Sequence, residues 1–232
     1  AVHDSLESDY PLGPAGDARL DALVAELRRH GKRRAYDCVV GVSGGCDSSY
    51  LIHLLVERGV RPLAVHFDNT WNSQIATQNI YNVLDKLGVD LYTHVVNNRE
   101  YDDLYRAFML AGVPDIECPT DIALATTMYE AAEKHKIRYM VEGHVFRTEG
   151  VFPIGWLYMD GKYIESIHKK FGTVELTTFP NLDLYRFLKW SVVKQVKRVR
   201  PLYHVNYEKE EVKKLLAKTY GWQWYGGHHL EN

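Results

Sequence analysis

Apolar positions at Leu20, Leu23, Val24 and Leu27 recur with the three- and four-residue spacing of one helical face, which predicts a helix over 17–30. The first twelve residues show no such period and read as an arm. A continuous apolar run, Cys38-Val39-Val40-Gly41-Val42, has the length and the β-branched content of a strand buried on both faces. Helical spacing resumes from Tyr50 through Leu51, Leu54 and Leu55, with Gly59 as its stop, and Leu63 to Phe67 reads as a second strand. Ala76, Ile80, Val83, Leu84 and Leu87 line the next helix, which ends at Gly88, and Leu91 to Val96 makes a third strand. Pro114 to Pro119 punctuates a loop; Thr120 or Asp121 then caps a helix through Lys136, and Ile137 to Val141 forms a fourth strand that ends at Glu142-Gly143-His144. From Gly150 onward the pattern is irregular and rich in aromatic residues, Gly and Pro, until a helical stretch over 209–218.

Strands that alternate with helices across short connections imply right-handed crossovers. The predicted fold is therefore α/β: three layers, a mostly parallel sheet flanked by helices. The organisation expected is an arm and helix over 1–30, a nucleotide-binding core over 31–150, and a substrate-side or partner-binding segment over 151–232. In such sheets ligands bind at the carboxyl ends of the strands, so the loop after the first strand, Asp68-Asn69 after the second and Gly143-His144 after the fourth are placed on one rim.

The loop on that rim carries the strongest chemical signal. Ser43-Gly44-Gly45-Cys46-Asp47-Ser48-Ser49 joins the first strand to a helix, adjacent glycines let the backbone approach an anion, and the helix start favours negative charge. Phosphate is the expected guest. The loop lacks the Gly-Lys-Ser/Thr ending of a Walker A sequence, so a different nucleotide chemistry is indicated. A plain Ser- and Gly-rich turn before a helix would explain the small residues but not Asp47.

Composition sets bounds on the partners. The chain of 232 residues has a formal charge of −2, which argues against a molecule dominated by nucleic-acid binding, although Lys194, Lys197, Arg198 and Arg200 form a basic run that reads as a solvated face. No apolar stretch approaches the ~20 residues of a membrane span, and a cytoplasmic enzyme without a membrane partner is expected. The three cysteines form no CxxC pair and are expected to be reduced.

Ser43-Gly44-Gly45-Cys46-Asp47-Ser48 resembles the SGGxDS signature of the PP-loop ATP pyrophosphatases, which implies the adenine nucleotide alpha hydrolase-like fold and cleavage of ATP to AMP and pyrophosphate. Further segments resemble the N-acetyl sugar amidotransferases of that superfamily: Asp68 to Ser73, Pro119-Thr120-Asp121, Gly143-His144 with Thr148-Glu149-Gly150, Ile167 to Gly172, Arg200-Pro201-Leu202, Gly221-Trp222 and Tyr225-Gly226-Gly227. That resemblance implies adenylation of an acetamido oxygen on an N-acetyl sugar or nucleotide sugar, and its displacement by ammonia from a separate glutaminase subunit. ATP and Mg²⁺ would be the cofactors. Gly44 and Gly45 would offer N–H donors to the phosphates, Ser43, Ser48 and Ser49 hydroxyls, and Asp47 a hard oxygen to the metal. Asp68 and Gly143 would complete the nucleotide site, with Asp121 and His144 joining Ser43 and Asp47 in catalysis. Asn69, Trp71, Thr148, Glu149, Lys169 and Lys170 would meet the substrate.

Each of these also has a structural reading. Asp68 and Asn69 suit an Asx turn, Asp121 a helix cap, His144 rim packing, Trp71 and Trp156 loop-edge packing, and Lys169 and Lys170 a solvated pair. Two rival functions are tRNA thiolation, in which Cys118 would be the thiol placed to react, and a nucleotide-binding module without catalysis. Self-association stays open. The chain also departs from the sugar amidotransferase pattern, which carries a cysteine-rich segment ahead of the first strand and continues well past the position of Gly227. This marks either a short form or part of a longer chain. His228 and His229, adjacent and therefore divergent in an extended chain, are weak metal candidates.

Overall fold

The computed structural model describes residues 2–150 and 160–226. In chain order, helices α1 (Val2–Asp9) and α2 (Pro14–Gly31) lead to strand β1 (Cys38–Gly41), α3 (Cys46–Glu57), β2 (Pro62–Asp68), α4 (Gln74–Leu87), β3 (Leu91–Val95), α5 (Asn98–Ala111), α6 (Cys118–Lys134) and β4 (Tyr139–Val141). Then come α7 (Phe146–Glu149), α8 (Gly161–Phe171), α9 (Leu184–Leu188), which runs into a π-helical turn at Lys189–Val193, β5 (Lys197–Val199), a 3-10 turn at Pro201–His204, and α10 (Lys209–Tyr220). The five strands form one sheet in the order β3-β2-β1-β4-β5, and every pairing is parallel. Chain direction reverses its lateral progress after β3, so the loops following β1 and β4 open side by side at the carboxyl edge, the crevice where α/β sheets bind ligands.

Alternation along β1 feeds two core layers. Cys38 and Val40 point into one with Leu20, Leu27, Leu51, Leu55, Ile80 and Leu216; Val39 points into the other with Leu63, Val65, Met128, Tyr129 and Trp190. Leu20, Leu27, Leu51 and Leu55 are wholly buried, each removing side-chain surface that contributes about 2 kcal/mol. Local chemistry bounds α4: the Ser73 hydroxyl accepts from the Ala76 amide at 3.1 Å at its start, and Gly88 in the left-handed region (φ 64°) closes it, where the pattern places the stop.

The structure corrects the sequence reading at several elements. The arm is helical over Val2–Asp9, because Arg147 pairs with Glu7 (2.8 Å) and bonds the Tyr10 carbonyl, contacts from 140 residues away that no local pattern displays. The helix after the phosphate loop starts at Cys46 rather than Tyr50, and α6 starts at Cys118, with Pro119 in its first turn and Glu117 rather than Thr120 or Asp121 at the cap position. Helix α5 was not legible since Glu100 and Asp103, both buried, interrupt its apolar face. The basic run is exposed, as expected of a solvated face, but it contains an edge strand, β5, and its cations meet carboxylates: Lys197 with Glu26, Arg198 and Arg200 with Glu142. Among the described residues, no helix is long and apolar enough to cross a membrane.

Candidate active site

The phosphate loop is held from three sides. Gly44 has φ 79°, and a Cβ there would run into the Ala76 backbone at the start of α4, so only glycine fits. Its carbonyl accepts from the Trp222 indole (2.9 Å), which ties the loop to the segment after α10. Ser43 and Ser48 hydroxyls lie 3.4 Å apart, Gly45 N–H donates to Ser43 Oγ (3.4 Å), and Ser48 Oγ donates to the Gly45 carbonyl (3.3 Å). Ser49 is buried behind them and bonds back through its amide to Gly45. No side chain caps α3, which leaves the N–H groups of its first turn without a side-chain acceptor, an arrangement that suits an anion.

Asp47, in that first turn, gathers the charged groups. Its carboxylate accepts from the Tyr207 hydroxyl and lies 3.6 Å from Lys209 Nζ, at the start of α10. Glu149 reaches the same carboxylate; burial, followed by the Asp47 charge, pushes the Glu149 carboxyl up to about 7. His144 bridges outward, with Nε2 3.3 Å from Glu149 and Nδ1 2.8 Å from the Tyr203 hydroxyl; burial, followed by the Arg200 charge, lowers its pKa. Gly143 lies against the start of α3, where a Cβ would stand 3.3 Å from the Ser48 amide. Two carboxylates side by side, one of them carrying a raised pKa, are a donor set that would suit a hard divalent cation, since a cation would relieve their mutual repulsion. Among the described residues no cluster of three or more His, Cys, Asp or Glu side chains could hold a metal alone.

A second part of the rim follows β2. Asp68 Oδ1 accepts from the Thr70 amide (2.8 Å) and Asn69 Oδ1 from the Trp71 amide (3.1 Å), an Asx arrangement that bends the chain toward Ser73. Asn69 also bonds Tyr101, and the Trp71 ring packs on Tyr101 and Tyr105, whose hydroxyls share Thr120. Asp121 is exposed in the first turn of α6, one residue beyond Thr120.

The structure thus brings together Ser43, Gly44, Gly45, Asp47, Ser48, Gly143, His144 and Glu149. It does not bring Lys169 and Lys170 to them: both are exposed on the last turn of α8, which packs on α5, and Lys170 lies over the Phe171 ring. Thr148 Oγ1 donates to the carbonyl of Val145, the residue just before α7. Trp156, His228 and His229 lie outside the described residues. Sequence reasoning missed Lys209 and Tyr207, and noted Trp222 only as part of the resemblance without a place at the loop, because all three reach the loop from more than 150 positions away. Cys118 is corrected as a reactive thiol: it is wholly buried, and burial, followed by the Asp115 charge, raises its pKa to about 12. Cys38 and Cys46 are buried as well, in β1 and α3, so the three thiols belong to separate elements.

A family model described as the tRNA methyl transferase HUP domain matches residues 36–221. The chain belongs to this family. It lies within the PP-loop, adenine nucleotide alpha hydrolase superfamily, in agreement with the parallel sheet and the Ser43–Ser48 loop. Among curated relatives, an uncharacterized protein of Methanocaldococcus jannaschii is 27% identical over 126 residues, covering 54% of this chain and 43% of its own. The tRNA-specific 2-thiouridylase MnmA of Proteus mirabilis is 30% identical over 128 residues, covering 49% of this chain and 35% of its own. The chain therefore spans well under half the length of these relatives. The U34-tRNA thiolase NcsA from Methanococcus maripaludis superposes with a TM-score of 0.49 at 18% identity, over 91% of this chain and 66% of that one. The family match and the thiouridylase relatives overturn the reading as a sugar amidotransferase, and with it the sugar substrate, the glutaminase and the expectation that nucleic acid is not a partner. Of the segments that suggested it, Gly143-His144 and Glu149 lie beside the Ser43–Ser48 loop, whereas Ile167 to Phe171 lies in α8, packed on α5.

Proposed function

We propose that this chain uses ATP to activate a carbonyl oxygen on a tRNA base, which sulfur then replaces. The observation that carries the proposal is the match of a tRNA-modification family model to residues 36–221, the stretch that builds the Asp47 cluster. The thiouridylase names of several curated relatives support sulfur as the incoming atom.

The chemistry suits the site. The base carbonyl is a poor electrophile, and its oxygen a poor leaving group. Attack of that oxygen on the α-phosphorus forms an O–P bond and breaks the bond to pyrophosphate; sulfide attack on the base carbon then expels AMP carrying the original oxygen. The loop amides and the Ser43 and Ser48 hydroxyls hold the phosphates, while Lys209 supplies the cation that this loop lacks in its own sequence. Mg²⁺ on Asp47 and Glu149 would neutralise the departing pyrophosphate. With all three cysteines buried, the sulfur comes from a donor outside the described residues.

The test is pyrophosphate release from Mg-ATP with unmodified tRNA, with and without sulfide. Release that requires tRNA supports the proposal; release that ignores tRNA counts against it.

A further inference from the structure

The loop after β2 shows an arrangement that packing alone does not require. Thr70 has φ 65°, in the left-handed region that a β-branched residue rarely adopts. The conformation is imposed by two carboxylate and amide side chains, Asp68 on the Thr70 amide and Asn69 on the Trp71 amide, and Asn72 Nδ2 adds a bond to Asp68 (3.4 Å). Its result is to set Trp71 on the rim with 42% of its surface exposed. The indole is braced edge-to-face, 4.7 Å from the Tyr105 ring and 5.3 Å from the Tyr101 ring. Those two tyrosines are buried, and both hydroxyls are fixed on Thr120, so the brace is rigid. Three residues on from Trp71 the chain enters α4, whose Ala76 lies against Gly44 of the phosphate loop.

We infer that Trp71 is a stacking platform for a nucleobase at the active-site rim. A rigid, part-exposed indole on a strained loop offers a flat apolar face with little ordering cost, which is what a planar base needs. Two sources supply a base at this rim, the adenine of ATP and an unstacked base of the acceptor RNA. The second source rests on the proposed tRNA substrate; the first does not.

The experiment compares wild-type fluorescence with that of Trp71→Phe, so that the difference reports Trp71 among the five tryptophans, during titration with Mg-ATP, a seven-nucleotide oligouridylate, and tripolyphosphate as the base-free control. Quenching by either base-bearing ligand but not by tripolyphosphate is expected. Trp71→Ala should weaken binding of that ligand about tenfold and Trp71→Phe by no more than about threefold. Circular dichroism and the melting midpoint show that both variants are folded. A signal with Mg-ATP assigns adenine, and a signal with the oligouridylate assigns the acceptor base. The inference is overturned if tripolyphosphate reproduces the signal, if Trp71→Phe retains it, or if Trp71→Ala binds both ligands as the wild type does. Wild-type pyrophosphate release with tRNA judges the proposed function separately, so either can fail alone.

Discussion

At the scale of single residues the site turns on the charges around Asp47. Asp47→Asn removes the negative charge that Lys209 faces, and pyrophosphate release should fall at least about a hundredfold while the melting curve stays cooperative. Lys209→Ala should raise the Kd for Mg-ATP about tenfold, and Lys209→Arg should recover part of that loss, as calorimetric titration would show. Glu149 adds a pH dependence of defined sign. Its folded pKa of about 7 stands above the ordinary carboxylate value, so the folded protein binds its proton more tightly than the unfolded chain does. Nucleotide-free protein should therefore lose stability as pH rises from the carboxylate range toward 7, on the order of 2 kcal/mol. Glu149→Gln should flatten that slope in urea titrations at pH 5 and pH 7.5. The same deprotonation frees a ligand for Mg²⁺, so wild-type affinity for Mg-ATP should rise through the same interval.

Elements are held in place by buried carboxylates as much as by apolar faces. Glu100, in α5, accepts from the Thr177, Thr178 and Phe179 amides and the Thr177 hydroxyl, and Asp103 accepts from the Thr173 and Val174 amides and from His168. These bonds fasten the irregular segment between α8 and α9 to the start of α5. Burial pushes the Glu100 carboxyl up, yet the hydrogen bonds from Thr177 and Thr178 outweigh it and lower the pKa, so its stabilisation is present above the ordinary carboxylate value and is lost as pH falls. Glu100→Ala should cost about 3 kcal/mol in urea unfolding, since it strands buried amides; Glu100→Gln should cost less. The same residues explain what the sequence hid. Strands β1 and β2, the C-terminal end of α4 and the span of α10 were legible because propensity, period and stop residues agree there. Helix α5 was not, because its inward face mixes Tyr101 and Leu104 with Glu100 and Asp103, a pattern intelligible only once the partner segment is in place.

For the whole molecule, the parallel sheet and its carboxyl rim follow from alternating strands and helices, and the phosphate loop was readable from seven consecutive residues. The far side of the site was not. Tyr207, Lys209 and Trp222 come from the segment that precedes, opens and follows α10, a helix packed on α3, and their approach to Asp47 and Gly44 depends on the order in which β4 and β5 extend the sheet. The acceptor was misread because the resemblance rested on short segments spread over the fold, and a fold shared by many activities does not by itself name the acceptor. The most direct measurement is pyrophosphate release from Mg-ATP by the wild type and by Asp47→Asn, each with unmodified tRNA, with sulfide, and with both, followed by mass analysis of the tRNA nucleosides. The expected result is release that depends on tRNA and on Asp47, with a nucleoside heavier by the difference between sulfur and oxygen when sulfide is present. Release that is indifferent to tRNA, or a tRNA left unchanged despite turnover, would contradict the account.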